Sequence, residues 1–158
     1  MIIIESENFI VESHEKPFVS RADGGHIRIK VKDLSIEDRT FLSPKQAIEL
    51  MRLTMIIGES FIRAMNNRGV PVVKINYQDM GNWAFKTGDK PFLHVHVFGR
   101  ATDATRQIFP ESVCLPSRES GFYEGFEPLN VDDMGEIRNQ IEITLKNKKY
   151  NEEIWGLI

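Results

Sequence analysis

The sequence predicts an α+β domain. Three patterns carry that reading: short stretches of period-two apolar residues near 9–12, 26–31 and 93–98, a long amphipathic segment at 43–66, and a second one after Asn130. At 158 residues, with 41% hydrophobic and 27% charged content, the chain reads as a single domain over 1–158. It has no internal repeat, low-complexity tract or linker.

Phe9–Glu12 and His26–Val31 are the early strands. In the second, Ile27, Ile29 and Val31 alternate with Arg28, Lys30 and Lys32, and Gly24-Gly25 supplies the turn before it. The clearest helix opens at Ser43, which caps it. Pro44 suits the first helical position and Gln46 completes a capping box. Ile48, Met51, Met55, Ile62 and Met65 then recur at three- and four-residue spacing, a row expected to lie against a sheet as core, and Asn66-Asn67-Arg68-Gly69 ends the helix. Val72–Asn76 reads as a strand pairing with the one at His94, with Tyr77–Lys90 as the loop between them. Pro110, Pro116, Gly121, Gly125 and Pro128 break the following chain into loop pieces. The last helix, about 130–149, has Asp132 and Asp133 at its positive end. Met134, Ile137, Ile141 and Leu145 form its apolar row, and Lys146, Lys148 and Lys149 stand at its negative end.

Twenty basic against 23 acidic residues leave a net charge of −3, which argues against nucleic acid or an anionic membrane as the main partner. Any phosphate must be held locally. The single cysteine, Cys114, excludes an intramolecular disulfide and reads as an inert buried thiol. Met1-Ile2-Ile3-Ile4-Glu5 has neither the basic segment nor the apolar length of a signal peptide, and no stretch approaches the roughly 20 apolar residues of a membrane span. The cytoplasm is the expected compartment.

Leu93-His94-Val95-His96-Val97-Phe98-Gly99-Arg100 places two of the four histidines one residue apart in an apolar run. Side chains alternate along a strand, so His94, His96 and Phe98 share one face while Leu93, Val95 and Val97 fill the other. Two imidazoles about 6.5–7 Å apart on one strand face can serve a metal, a phosphate or nucleophilic chemistry.

His94-Val95-His96-Val97-Phe98 resembles the signature of the histidine triad (HIT) family, His-apolar-His-apolar-His followed by two apolar residues, with Phe98 in place of the last histidine. The order of elements is similar as well: Gly25-His26-Ile27, the 43–66 helix, Ile75-Asn76, Gly81 and the histidine strand, ending in Gly99-Arg100 where many members have Pro-Arg. The resemblance spans about residues 9–100. It implies a HIT-like fold, an antiparallel β-sheet flanked by helices, in a homodimer. It also implies a hydrolase or transferase, similar to the diadenosine polyphosphate hydrolases. Such an enzyme cleaves a phosphoanhydride or phosphoramidate bond of a nucleotide or dinucleoside polyphosphate through a nucleotidyl-histidine. On that resemblance His96 is the nucleophile and His94 its catalytic neighbour, a backbone carbonyl of the strand orients the nucleophile, and Asn76 places the phosphate. Lys90 and Arg100 are candidate phosphate cations, and His26 and Phe98 complete the expected substrate contacts, although a lone histidine at a turn-to-strand junction such as His26 is more often a structural hydrogen-bonder. No cofactor or protein-bound metal is expected, Mg²⁺ accompanying only a polyphosphate substrate.

Two other readings stay open. Phe98 cannot donate a hydrogen bond, which leaves room for a nucleotide-binding protein without turnover. His94 and His96, with His26 or a carboxylate, also have the spacing of a His-X-His metalloenzyme. His14, next to Glu12 and Glu15, reads as solvated. Trp83, Phe122, Tyr123 and Phe126 offer ring faces to a base, with packing the expected role of most.

Overall fold

The structure, a computed structural model, describes residues 1–158. Five strands form one antiparallel sheet: β1 (Ile2–Glu5), β2 (Phe9–Ser13), β3 (His26–Val31), β4 (Val72–Asp79) and β5 (His94–Ala101), in the order β1-β2-β3-β5-β4. Helices α1 (Pro44–Asn67) and α3 (Val131–Leu145) share one core with the sheet, and a short α2 (Ala84–Thr87) interrupts the β4–β5 connection. The expected α+β class holds. Two strand limits differ from expectation. β1 was not foreseen, because an unbroken Ile2-Ile3-Ile4 run shows no alternation. β4 continues past Asn76, since Tyr77, Gln78 and Asp79 still pair with Val97, His96 and Val95.

Alternation decides which face is core. Ile27, Ile29 and Val31 of β3 and Val95 and Val97 of β5 pack with Ile56, Ile57, Phe61 and Met65 of α1 and Met134, Ile137 and Ile141 of α3. Each such buried side chain contributes about 1.5–3 kcal/mol. The α1 start follows its sequence: Ser43 Oγ accepts the Gln46 amide at 3.3 Å and Gln46 Oε1 accepts the Ser43 amide at 2.9 Å. Of the expected row, Met65 is buried and Met55 and Ile62 pack half-buried against the core, but the rest of the buried face is offset. Leu50, Leu53, Ile57, Phe61 and Ala64 are buried, while Ile48 and Met51 are 38% and 56% exposed. Two adjacent apolar stripes share the same spacing, and periodicity alone does not say which one meets the sheet.

At α3, Asn130 and Asp133 form a second capping box. Asp133 is fully buried and accepts from Arg21 at 2.6 and 2.9 Å and from Arg68 at 3.1 Å, tying the helix start to two other segments. The helix ends at Leu145, and Lys148 and Lys149 lie in a separate 3₁₀ turn rather than at its end.

Close backbone contact positions the loop before β3. Gly24 has φ of 131°, and a Cβ on either Gly24 or Gly99 would collide with the other's carbonyl oxygen. The Gly99 amide donates to Gly25 O at 3.0 Å. His26 is thereby held beside the β5 histidines.

Candidate active site

The sheet face away from the helices carries the polar residues. Antiparallel register sets Lys30 opposite His94, Arg28 opposite His96 and His26 opposite Phe98. Just beyond β2, the His14 amide donates to His26 O at 3.2 Å, so His14 stands opposite His26. A cleft of about 420 Å³ opens over this face. Its floor includes His14, Arg28, His94 and His96, and its walls include Phe18, Trp83, Phe92 and Lys90.

Backbone groups dictate where each imidazole carries its proton. The Phe18 amide donates to His26 Nδ1 at 3.1 Å, so neutral His26 is protonated at Nε2. That nitrogen lies 2.8 Å from His96 Nδ1 and donates to it, which leaves the His96 proton on Nε2. The Lys16 amide donates to His14 Nδ1 at 3.2 Å, so His14 also carries an Nε2–H. His94 is the opposite case: its Nδ1–H donates to the Phe92 carbonyl at 2.9 Å, and the lone pair sits on Nε2. The site therefore presents one imidazole lone pair, on His94, among N–H donors.

All these rings are neutral near pH 7. Burial, aided by nearby Arg28 and Arg118, lowers His14 to about 4. Burial, with the neighbouring histidines and the same arginines, lowers His96 to about 2. His26 is held well below its usual value, first by burial and then by His96. His94 is lowered by burial, partly offset by its bond to the Phe92 carbonyl. Arg28 also lines the cleft, and Glu12 accepts from its Nε at 2.9 Å.

The structure gathers some of the expected residues and diverts others. His94 and His96 line the cleft with ring centroids 4.8 Å apart. Lys90 stands at the rim, exposed and only loosely paired with Glu37 at 3.4 Å. Three expectations need correction. His26 is 1% exposed and supports His96 rather than contacting a substrate. Phe98 is completely buried and packs with Phe18 and Val19, so it has no access to a ligand. Arg100 is 2% exposed and is consumed by the fold, donating to Asn76 Oδ1 and to the carbonyls of Gln107, Ile108 and Glu111 at 2.8–3.2 Å. Asn76 accordingly spends its carbonyl oxygen on Arg100. The hydrogen-bond polarity leaves the lone pair on His94 Nε2 and the N–H on His96 Nε2.

Other residues depart from expectation too. His14 is not solvated but half-buried, stacked on His26 with centroids 4.5 Å apart and planes 15° apart. The signal was present in the β2–β3 register, which carries on to pair 14 with 26. Phe122, Tyr123 and Phe126, by contrast, pack as expected, with one another, under Arg106 and through Tyr123 on Phe18, while Trp83 lines the cleft. Cys114 is exposed, not buried. Phe18, Arg28 and Phe92 belong to the cleft without any local sequence signal.

One ring nitrogen each of His14, His26 and His96 lies within 4.8 Å of the others, a grouping that invites comparison with a metal centre. The donor set does not fit one. A metal on His26 Nε2 would force the proton to Nδ1, against the Phe18 amide, and a metal on His14 Nε2 would do the same against the Lys16 amide. The near-parallel stacking of His14 and His26 also aims their in-plane lone pairs alongside rather than toward one ion.

This sheet, with its two covering helices and its histidine strand, has the fold of the histidine triad proteins. A histidine triad protein from Sinorhizobium meliloti 1021 superposes with a TM-score of 0.63 at 17% identity, over 92% of this chain and 89% of that one. A hypothetical histidine triad nucleotide-binding protein from Sulfolobus tokodaii strain 7 gives a TM-score of 0.58 at 18% identity, over 92% and 85%. A Zn-bound histidine triad family protein from Mycobacterium smegmatis gives 0.55 at 16% identity, over 90% and 84%. Neither a protein-family model nor a curated protein matches the sequence. No helix is long and apolar enough to cross a membrane.

Proposed function

We propose that the protein binds a nucleotide in the cleft and transfers its nucleotidyl group to His94, hydrolysing a phosphoanhydride or phosphoramidate bond. The observation that carries this reading is the His94 Nδ1–H bond to the Phe92 carbonyl, which leaves the Nε2 lone pair of a neutral imidazole in the cleft. In the first step Nε2 bonds to the α-phosphorus, and the bond from phosphorus to the leaving oxygen or nitrogen breaks with its electron pair going to the leaving group, a leaving nitrogen taking a proton from water so that it departs as the neutral amine. Water then attacks phosphorus, the P–N bond breaks, and the product phosphate and neutral His94 are released with loss of a proton. His96 Nε2–H, Lys90 and Arg28 supply positive potential for the phosphoryl oxygens.

This assignment shifts the register of the family resemblance by two residues. Phe92-Leu93-His94-Val95-His96 followed by Val97-Phe98 has the two trailing apolar residues in place, and the histidine it lacks is the first rather than the last. The carbonyl orienting the nucleophile is then that of Phe92. The name of the Sulfolobus tokodaii protein, nucleotide-binding, agrees with the ligand class. Aromatic walls at Phe18, Trp83 and Phe92 suit a base. A homodimer is part of the proposal, because β4 is an open sheet edge with Val73 and Tyr77 exposed, and Ile48 and Met51 of α1 are exposed as well.

The test is direct. Wild-type protein incubated with an AMP phosphoramidate and with diadenosine tetraphosphate, quenched and digested, should yield a nucleotidylated peptide bearing the adduct on His94. Turnover without any adduct at His94 would overturn the mechanism, and nucleotide binding with no turnover would select the non-catalytic reading.

A further inference from the structure

His14 is a site imidazole with no partner in the mechanism above. Its placement is built, not incidental. The β2–β3 register sets it opposite His26, its ring stacks on His26 at 4.5 Å, and its centroid lies 6.0 Å from that of His96. The Lys16 amide occupies Nδ1, so the remaining ring nitrogen is an N–H donor that cannot turn acceptor without breaking that bond. Two contacts hold the short segment that provides the amide. Arg118 Nη2 donates to Lys16 O at 2.7 Å, and its guanidinium lies 4.0 Å from the Phe18 ring centroid.

The cleft thus offers two fixed imidazole N–H donors, on His14 and His96, and one lone pair, on His94. In phosphoryl transfer, negative charge spreads over the non-bridging oxygens of the transferred group, and donors already aimed there need no reorganisation. We propose that His14 is a further catalytic residue, a fixed N–H donor that joins His96 in a two-imidazole cradle for the non-bridging oxygens of the phosphoryl group attacked by His94. This rests on the nucleotidyl-transfer reading. His14 acts by hydrogen bonding and not by releasing its proton, because a neutral imidazole is a poor acid.

Two variants separate the donor from the ring. His14→Phe keeps a stacked ring without the N–H, and His14→Gln returns an amide donor at a similar reach. On the AMP phosphoramidate, His14→Phe should lower kcat about 10²-fold with KM raised no more than about tenfold, and His14→Gln should recover part of the loss. Calorimetric titration supplies a readout besides turnover: the preference for AMP over adenosine should fall about tenfold in His14→Phe with adenosine affinity unchanged. Wild-type kcat together with an unchanged AMP preference in His14→Phe would overturn the proposal while leaving the His94 mechanism intact. A matching fall in adenosine affinity, or a Gln variant no better than Phe, would mark His14 as structural only. A wild-type protein that neither turns over the phosphoramidate nor binds AMP overturns the reading of function and this proposal with it.

Discussion

The amide of Phe18 donates to Nδ1 of His26 at 3.1 Å, and this backbone contact sets the proton order of the buried pair His26–His96. Turning the His26 ring or moving its proton would oppose two donors or orphan one, at about 1–3 kcal/mol. Two residues earlier the Lys16 amide does the same to His14, and Pro17 between them has no amide to compete. Gln107 Nε2 donates to the Phe18 carbonyl at 2.7 Å, so a residue far along the chain keeps this amide aimed.

Long-range ¹H–¹⁵N correlation at pH 7 should therefore find His94 protonated on Nδ1 and His14, His26 and His96 protonated on Nε2. The reverse pattern at His94 and His96 would return the nucleophile to His96.

His94→Ala should abolish both the covalent adduct and turnover. His96→Ala should lower kcat about 10²–10³-fold, the usual cost of one donor to a developing oxyanion, yet still form the adduct on the nucleophilic residue. Adduct formation that survives His94→Ala and is lost in His96→Ala would reverse the roles given to the two histidines.

Stability should depend on pH through the buried histidines. Their folded values lie below the unfolded value of about 6.5, His14 at about 4 and His96 at about 2. Below pH 6.5 the unfolded chain therefore binds more protons, and stability falls as pH drops. The slope is about 1.4 kcal/mol per pH unit for each histidine so affected. Thermal melts should be flat above about pH 7 and shift steadily down between 6.5 and 4. The value of kcat/KM should likewise be flat above about pH 7.5, since burial lowers the His94 pKa below its ordinary value. A Tm that rises on acidification from pH 7 to 5 would contradict the neutral assignment.

Phe98→His restores a histidine to the position the sequence resemblance singled out, but the structure places that side chain among Phe18 and Val19 with no exposure. It should destabilise the fold by about 2–4 kcal/mol in denaturant titration and bring no gain on substrates with poor leaving groups. A stable, faster variant would show that position 98 reaches the substrate.

The β3 and β5 strands, the cap of α1 and the shared face of His94 and His96 were legible because each depends on residues adjacent in sequence. What the sequence withheld is long-range. Arg100 and Lys90 both read as free cations near the histidine strand, but only the fold reveals that three carbonyls of the 107–111 segment surround Arg100. The choice between His94 and His96 rested on hydrogen-bond polarity, which depends on Phe18 and Phe92 backbone groups and leaves no mark in residue type. His14 was misread because its charged neighbours Glu12 and Glu15 suggested solvent, although Glu12 is occupied with Arg28.

The Asp23 carboxylate accepts the amides of Thr105, Arg106 and Gln107 at 2.8–3.1 Å, and the Gln107 side chain closes the same loop onto the Cys114 backbone. Apart from Asp23 and Gln107, these anchors use main-chain atoms, which every residue type but proline supplies. The residues at 105 and 114 are thus free to be exchanged with little strain on the scaffold, while Arg106 is also held by its side chain over Phe122 and Phe126. Attachment is separated from recognition, and the surface beside the cleft can be rewritten while the imidazoles beneath keep their protons in place.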